Sequence, residues 1–212
     1  MAFFGVVCSR NISKIAGIAL VLVVLLVLAG CWVTSINELY EDGFLSKKDP
    51  DLVFDQSLIG SWTVIDDKCT TLLTIAAKDD VYDLQSVKQG EGCSDDRTHV
   101  QARLVKLHAH YFLDVSPLDK DVCAMCAARH SIFLARFDKD TFSLTPIDSD
   151  WLKKSTAART VTLATVADDT DTITASSQEL KAFCRRFADD KTAFKPDSAE
   201  TFKRSQVSTA GT

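Results

Sequence analysis

The chain has 212 residues, 46% of them hydrophobic and 25% charged, with 8 glycines and 4 prolines, proportions that exclude collagen-like, low-complexity and disordered classes. The apolar weight is uneven: residues 15–28 read IAGIALVLVVLLVL and carry no charge. The formal charge is −5, and setting aside Arg10 and Lys14, the only charged residues before Cys31, leaves −7, which argues against nucleic acid or an anionic lipid surface as the main partner.

Residues 1–14 hold two basic side chains and no acid. The apolar run that follows is shorter than the ~20 residues needed to cross a bilayer core and has signal-peptide proportions. It ends in Leu28-Ala29-Gly30-Cys31, which resembles the lipobox of bacterial lipoproteins. The resemblance implies that 1–30 is a signal peptide cleaved after Gly30. It also implies that Cys31 carries a diacylglycerol on sulfur and that its new amino group is acylated in many bacteria. Trp32 suits the membrane interface. Its not being Asp implies, by similarity to enterobacterial sorting, the outer membrane if the host is Gram-negative. The alternative is a retained anchor, since Ile15–Val33 is 19 residues and just spans. In both cases Arg10 and Lys14 hold the N-terminal end inside, so the folded part lies in the cell envelope, outside the cytoplasm.

Residues 31–57 are the lipidated N-terminus and a polar spacer, with a short helical pattern at Ile36–Tyr40 and a break at Asp49-Pro50. From Leu58 the pattern has period two, as half-buried antiparallel strands require. Thr71–Ile75 and Val81–Val87 flank Lys78-Asp79-Asp80 as one hairpin, with facing positions summing to about 157. Thr98–Leu107 and Tyr111–Val115 flank His108-Ala109-His110 as a second, and Ser131–Phe137 and Thr141–Thr145 flank Asp138-Lys139-Asp140 as a third. Asp148–Lys154 places acids first and bases last, as a short helix prefers. Arg159–Val166 and Thr172–Thr174 read as strands. Ser176-Ser177-Gln178-Glu179 is a capping box opening a helix with Leu180, Phe183, Cys184 and Phe187 on one face. Residues 195–212 read as a disordered tail.

Strands about ten residues apart describe an up-and-down meander. The expected fold is therefore mainly β over 58–194: a single small antiparallel barrel or strongly curved sheet with a short helix and one packed C-terminal helix. Gly60-Ser61-Trp62 is similar to the G-x-W motif that opens lipocalin-like barrels, which implies Gly60 and Trp62 at the barrel floor. His110–Asp114, Asp150–Lys154 and Thr174–Phe183 resemble a group of uncharacterised bacterial lipoproteins, a likeness that implies class and address rather than chemistry.

Of seven cysteines, Cys8 leaves with the signal peptide and Cys31 takes the lipid. An oxidising compartment makes disulfides the default for the others. The first hairpin's register places Cys69 opposite Lys88, at the end where Cys93 hangs, so Cys69–Cys93 is the expected staple. Cys123-Ala124-Met125-Cys126 is a second disulfide candidate, a loop-tightening ring. The same pair also offers thiol-redox chemistry, or a metal site with His130 and His108 or His110. His108 and His110 share a strand face in period two and, beside a turn, read as solvated. Cys184 reads as a small buried hydrophobe. No nucleophile elbow, zincin, P-loop or dinucleotide motif occurs, and the acid pairs fall at turns. The expectation is a noncatalytic, cofactor-free, membrane-tethered protein that binds an apolar or envelope-derived ligand in the barrel mouth or docks another envelope protein. The alternative is thiol-redox or metal handling through Cys123, Cys126 and His130.

Overall fold

The computed structural model describes residues 33–41, 48–66, 68–91, 93, 97–118, 129–166 and 169–205. Seven strands follow one another as a meander: β3 (Gly60–Asp66), β4 (Cys69–Lys78), β5 (Val81–Gln89), β6 (Arg97–Leu107), β7 (His110–Pro117), β8 (Ser131–Phe137) and β9 (Thr141–Pro146). Each pairs antiparallel with the next. The eighth strand, β12 (Glu200–Arg204), comes from near the C-terminus and pairs antiparallel with both β9 and β3. It closes the sheet into an eight-stranded barrel, which removes the exposed edges an open sheet would leave. The mainly β barrel expected from the sequence is the fold observed.

Period-two burial along the strands gives the barrel its interior. On β4, Thr71, Leu73 and Ile75 are buried while Thr74 and Ala76 face out, and on β5 Tyr82, Leu84 and Ser86 are buried. Trp62, Tyr82, Phe133, Phe142 and Phe202 meet inside with Leu73, Leu84, Leu113 and Leu144 as one continuous core. A second core lies outside the barrel. There Val105, Leu107, Phe112, Ile132 and Leu134, on the outer faces of β6 to β8, are covered by α1 (Ser149–Ala157) and α2 (Ser177–Phe187). The cover also includes a small sheet in which β11 (Asp169–Ile173) is flanked by β1 (Thr34–Ser35) and β10 (Thr165–Val166). Asp148 caps α1 and the Ser176–Glu179 box caps α2; Leu180, Phe183 and Cys184 are buried along the second helix.

Several boundaries depart from the sequence reading. The described parts of the 31–57 segment are folded onto the barrel instead of forming a spacer. Val33, Leu39 and Tyr40 belong to the outer core, and β2 (Leu52–Val53) pairs with β6. Ile36–Tyr40 is bent chain without a helix, because its amides bond elsewhere: Ile36 to the Ile173 carbonyl and Leu39 to Asp114. The 195–212 segment is not a tail as far as Ser205, since Phe202 enters the barrel core; residues 206–212 lie outside the description. Arg159–Val166 contracts to β10 because Val161 and Leu163 turn into the outer core instead of pairing. β11 begins at Asp169 and ends at Ile173. The first hairpin pairs Lys78 with Val81 around a two-residue turn at Asp79, φ 57°, so Thr70 faces Gln89 and the register is two residues from the expected one.

Candidate functional site

The floor of the barrel is built around Trp62. Its indole nitrogen donates to the Leu58 carbonyl at 2.9 Å, and the Arg204 guanidinium lies 4.1 Å from its ring centroid. Arg204 also donates to the carbonyls of Lys139 at 2.8 Å, Ile59 at 3.1 Å and Ser57. Gly60 stands at φ +136°, which favours glycine, and a Cβ there would lie 2.8 Å from Arg204 Nη1 and displace the guanidinium. Gly60 opens β3, and Trp62 packs in the barrel core beside Phe142. Arg204, their partner, lies in the segment expected to be a tail.

At the other end of the barrel lie the β3–β4, β5–β6 and β7–β8 connections and the start of β12. One interior step beyond the apolar layers, four strands place polar side chains. Thr71 lies beyond Leu73, Ser86 beyond Leu84, Ser131 beyond Phe133 and Glu200 beyond Phe202. All four are deeply buried, at 5%, 3%, 2% and 4% exposure. The other four strands put Val64, Val100, Val115 and Pro146 at that level. The hydroxyls of Thr71 and Ser131 have no hydrogen-bond partner. A buried unpaired hydroxyl costs about 1–3 kcal/mol, so natural interiors keep few of them. The belt therefore sets a carboxylate and hydroxyls able both to give and to accept beside the apolar layers of the barrel core.

This end of the barrel is stapled by the Cys69–Cys93 disulfide, with Cα atoms 6.0 Å apart. Gly90, at φ +145°, lets the chain pass here, because a Cβ would meet the Lys68 carbonyl and Cys93 Sγ. No protein-family model matches the chain, and no curated protein or solved structure matches it. The chemistry of its sites therefore rests on geometry.

The remaining candidates separate clearly. Cys31, Cys123 and Cys126 lie outside the described residues. His130, named with them as a metal ligand, is buried and holds Asp114 through Nδ1 at 2.7 Å. Burial alone would lower its pKa, but the hydrogen bond and charge of Asp114, with Glu38 adding, hold it above the ordinary histidine value. Asp114 also accepts from the Leu39 amide at 2.7 Å, so the pair fastens the N-terminal segment to β7. His108 and His110 do not share a strand face. His108 occupies the turn at φ 56°, while His110, on β7, reaches Asp189 at 3.2 Å. Among the described residues no group of three or more His, Cys, Asp or Glu is placed to hold a metal ion. Cys184 is free and buried, and burial followed by the charge of Asp114 raises its thiol pKa, which makes it inert.

A polar cleft of about 480 Å³ opens between α2 and the side formed by Glu41, Lys48, Asp49 and Pro50. At its centre Lys181 donates to Asp49 at 2.6 and 2.7 Å and to Asp51 at 2.8 Å, and Arg185 reaches Asp51 at 2.9 Å. Burial opposes the charge on Lys181, yet the two carboxylates raise its pKa. These ions face each other, so the cleft acts as a clamp holding residues 49–51 to the helix.

Sequence reasoning missed the belt for a local reason. Thr71 stands in TTLLTIAA, where either phase of alternation is plausible, and only the observed register shows that it points inward with Leu73. Glu200 lay in a stretch too polar to read as strand.

Proposed function

We propose that this is a membrane-tethered envelope lipoprotein, anchored through Cys31, whose noncatalytic domain binds a small polar, envelope-derived ligand in the barrel mouth. The observation that carries the binding reading is the interior belt of Thr71, Ser86, Ser131 and Glu200, with two hydroxyls left unpaired. The apolar layers below are filled by side chains packed on one another, which favours a polar guest at the mouth over an apolar one in the interior. A guest bonding to the free hydroxyls removes their desolvation penalty, a gain that a rigid apolar pocket would not offer.

The test is native purification from a lipoprotein-processing bacterium, followed by native mass spectrometry. The expected result is an adduct of a small hydroxyl- or amine-bearing molecule that is lost in a Thr71→Val, Ser131→Ala double variant. A wild-type spectrum with no adduct, or one the double variant retains, refutes the chamber. Thiol counting on the unreduced, denatured protein gives one free thiol, Cys184, if Cys123 and Cys126 are bridged. Three free thiols, or bound metal, support the redox or metal reading instead.

A further inference from the structure

We infer that the domain is seated directly on the bilayer by its flank, with the side that carries the β1–β11–β10 sheet toward the lipid headgroups. The inference rests on lipidation of Cys31 and concerns how the anchored domain stands.

The chain is locked into the fold from Val33 onward. Val33 is 6% exposed and Ser35 1%, and β1 runs parallel to β11 with Thr34 beside Thr172. Ser35 exchanges both backbone hydrogen bonds with His130 at 2.8 Å, just before β8. Asn37 then donates to the carbonyls of Thr174 and Ala175. A single residue, Trp32, separates this fixed point from Cys31. Two Cα–Cα steps of 3.8 Å hold the Cys31 Cα within about 8 Å of that of Val33, whatever conformation the link adopts.

A diacylglycerol on Cys31 sits at the boundary of headgroups and acyl chains, and the headgroup region is only about 5–8 Å deep on each side. No length remains for a stand-off. Because Ser35 is bonded to His130 at the mouth-side start of β8, and β1 pairs with β11 on the outside of the barrel, the tether pulls that flank toward the membrane. Val166, one of the few exposed large apolar side chains, belongs to this sheet at the end where β1 enters. Thr74 is exposed on β4, which is four strands from β8 around the ring and so on the far wall. The anchor, not surface charge, supplies the attraction, consistent with an acidic domain. A retained transmembrane anchor meets the same limit, since Val33 is committed to the protein core and cannot extend a span.

The test uses the full processed protein in a supported bilayer of phosphatidylethanolamine and phosphatidylglycerol. Intact mass comes first: absence of acyl chains on Cys31 overturns the anchor reading and this inference with it. With the lipid confirmed, neutron reflectometry should show protein density starting in the headgroup layer with no water gap. A Gly-Ser insert of about twelve residues between Trp32 and Val33, with a mean span of about 20 Å, should open one. A gap in the unmodified protein, or identical profiles for both, overturns direct seating while leaving the anchor intact. A fluorescent non-natural residue at Val166 should be quenched by headgroup nitroxide lipids and the same residue at Thr74 should not. Equal quenching overturns the flank-on orientation.

Discussion

Replacing Thr71 by Val should stabilise the unliganded protein, contrary to the usual effect of a core substitution. The two side chains have the same shape, so the change swaps an unpaired buried hydroxyl for a methyl without opening a cavity. The hydroxyl's desolvation penalty of about 1–3 kcal/mol disappears, and burial of the added methyl contributes up to about 0.8 kcal/mol. A net gain at the lower end of that sum, about 1–2 kcal/mol, is expected. For a folded part of this size that corresponds to a rise in Tm of roughly 2–8 °C. Urea unfolding of wild type and variant, both stripped of ligand, reads the change as a shift in midpoint at constant slope. Ser131→Ala should give a smaller gain, since it removes the hydroxyl and leaves a small void. A loss of more than about 1 kcal/mol in Thr71→Val would refute the reasoning, because it would show that the hydroxyl is hydrogen-bonded in the unliganded chamber.

Other perturbations test the frame around the chamber. Arg204→Ala should cost about 2–4 kcal/mol in urea unfolding by removing the contact over Trp62 and the donors to three carbonyls, and an unchanged midpoint would show that the barrel closes without it. Lys181→Ala should cost about 3–5 kcal/mol because it strands the Asp49 carboxylate, whose side chain is 2% exposed; adding Asp49→Asn should recover part of this, and no recovery would mean packing, not charge, is at stake. Because His130 has a raised pKa in the folded state, its pairing with Asp114 adds stability that is complete below about pH 6.5 and declines as pH rises through the folded value. His130→Gln should remove that decline, and parallel pH profiles for the two proteins would count against the pair. Opening Cys69–Cys93 by a double Ser substitution should cost about 3–4 kcal/mol in the chain-entropy model, measured by the same unfolding assay.

Alternation and turn chemistry, which are local, made the central hairpins, both helices and the Cys69–Cys93 staple legible from the residues. The Asp79-Asp80 and Asp138–Asp140 turns mark where the chain reverses, and Ser176 with Glu179 fixes the start of α2 without tertiary help. The lipobox reading of Cys31 is equally local and stands on sequence alone. Closure of the barrel by β12 was not legible, because Glu200–Arg204 has one apolar side chain, Phe202, and gains its burial only between β9 and β3. The same holds for the N-terminal segment: nothing local marks Asp49 and Asp114 as ion-pair partners until the fold brings Lys181 and His130 to them, across 132 and 16 residues. The chamber belt is likewise a product of register, since Thr71, Ser86, Ser131 and Glu200 share a level only when four separate strands are wound into one ring. Periodicity fixes which residues can turn inward, but only long-range pairing decides which of them meet.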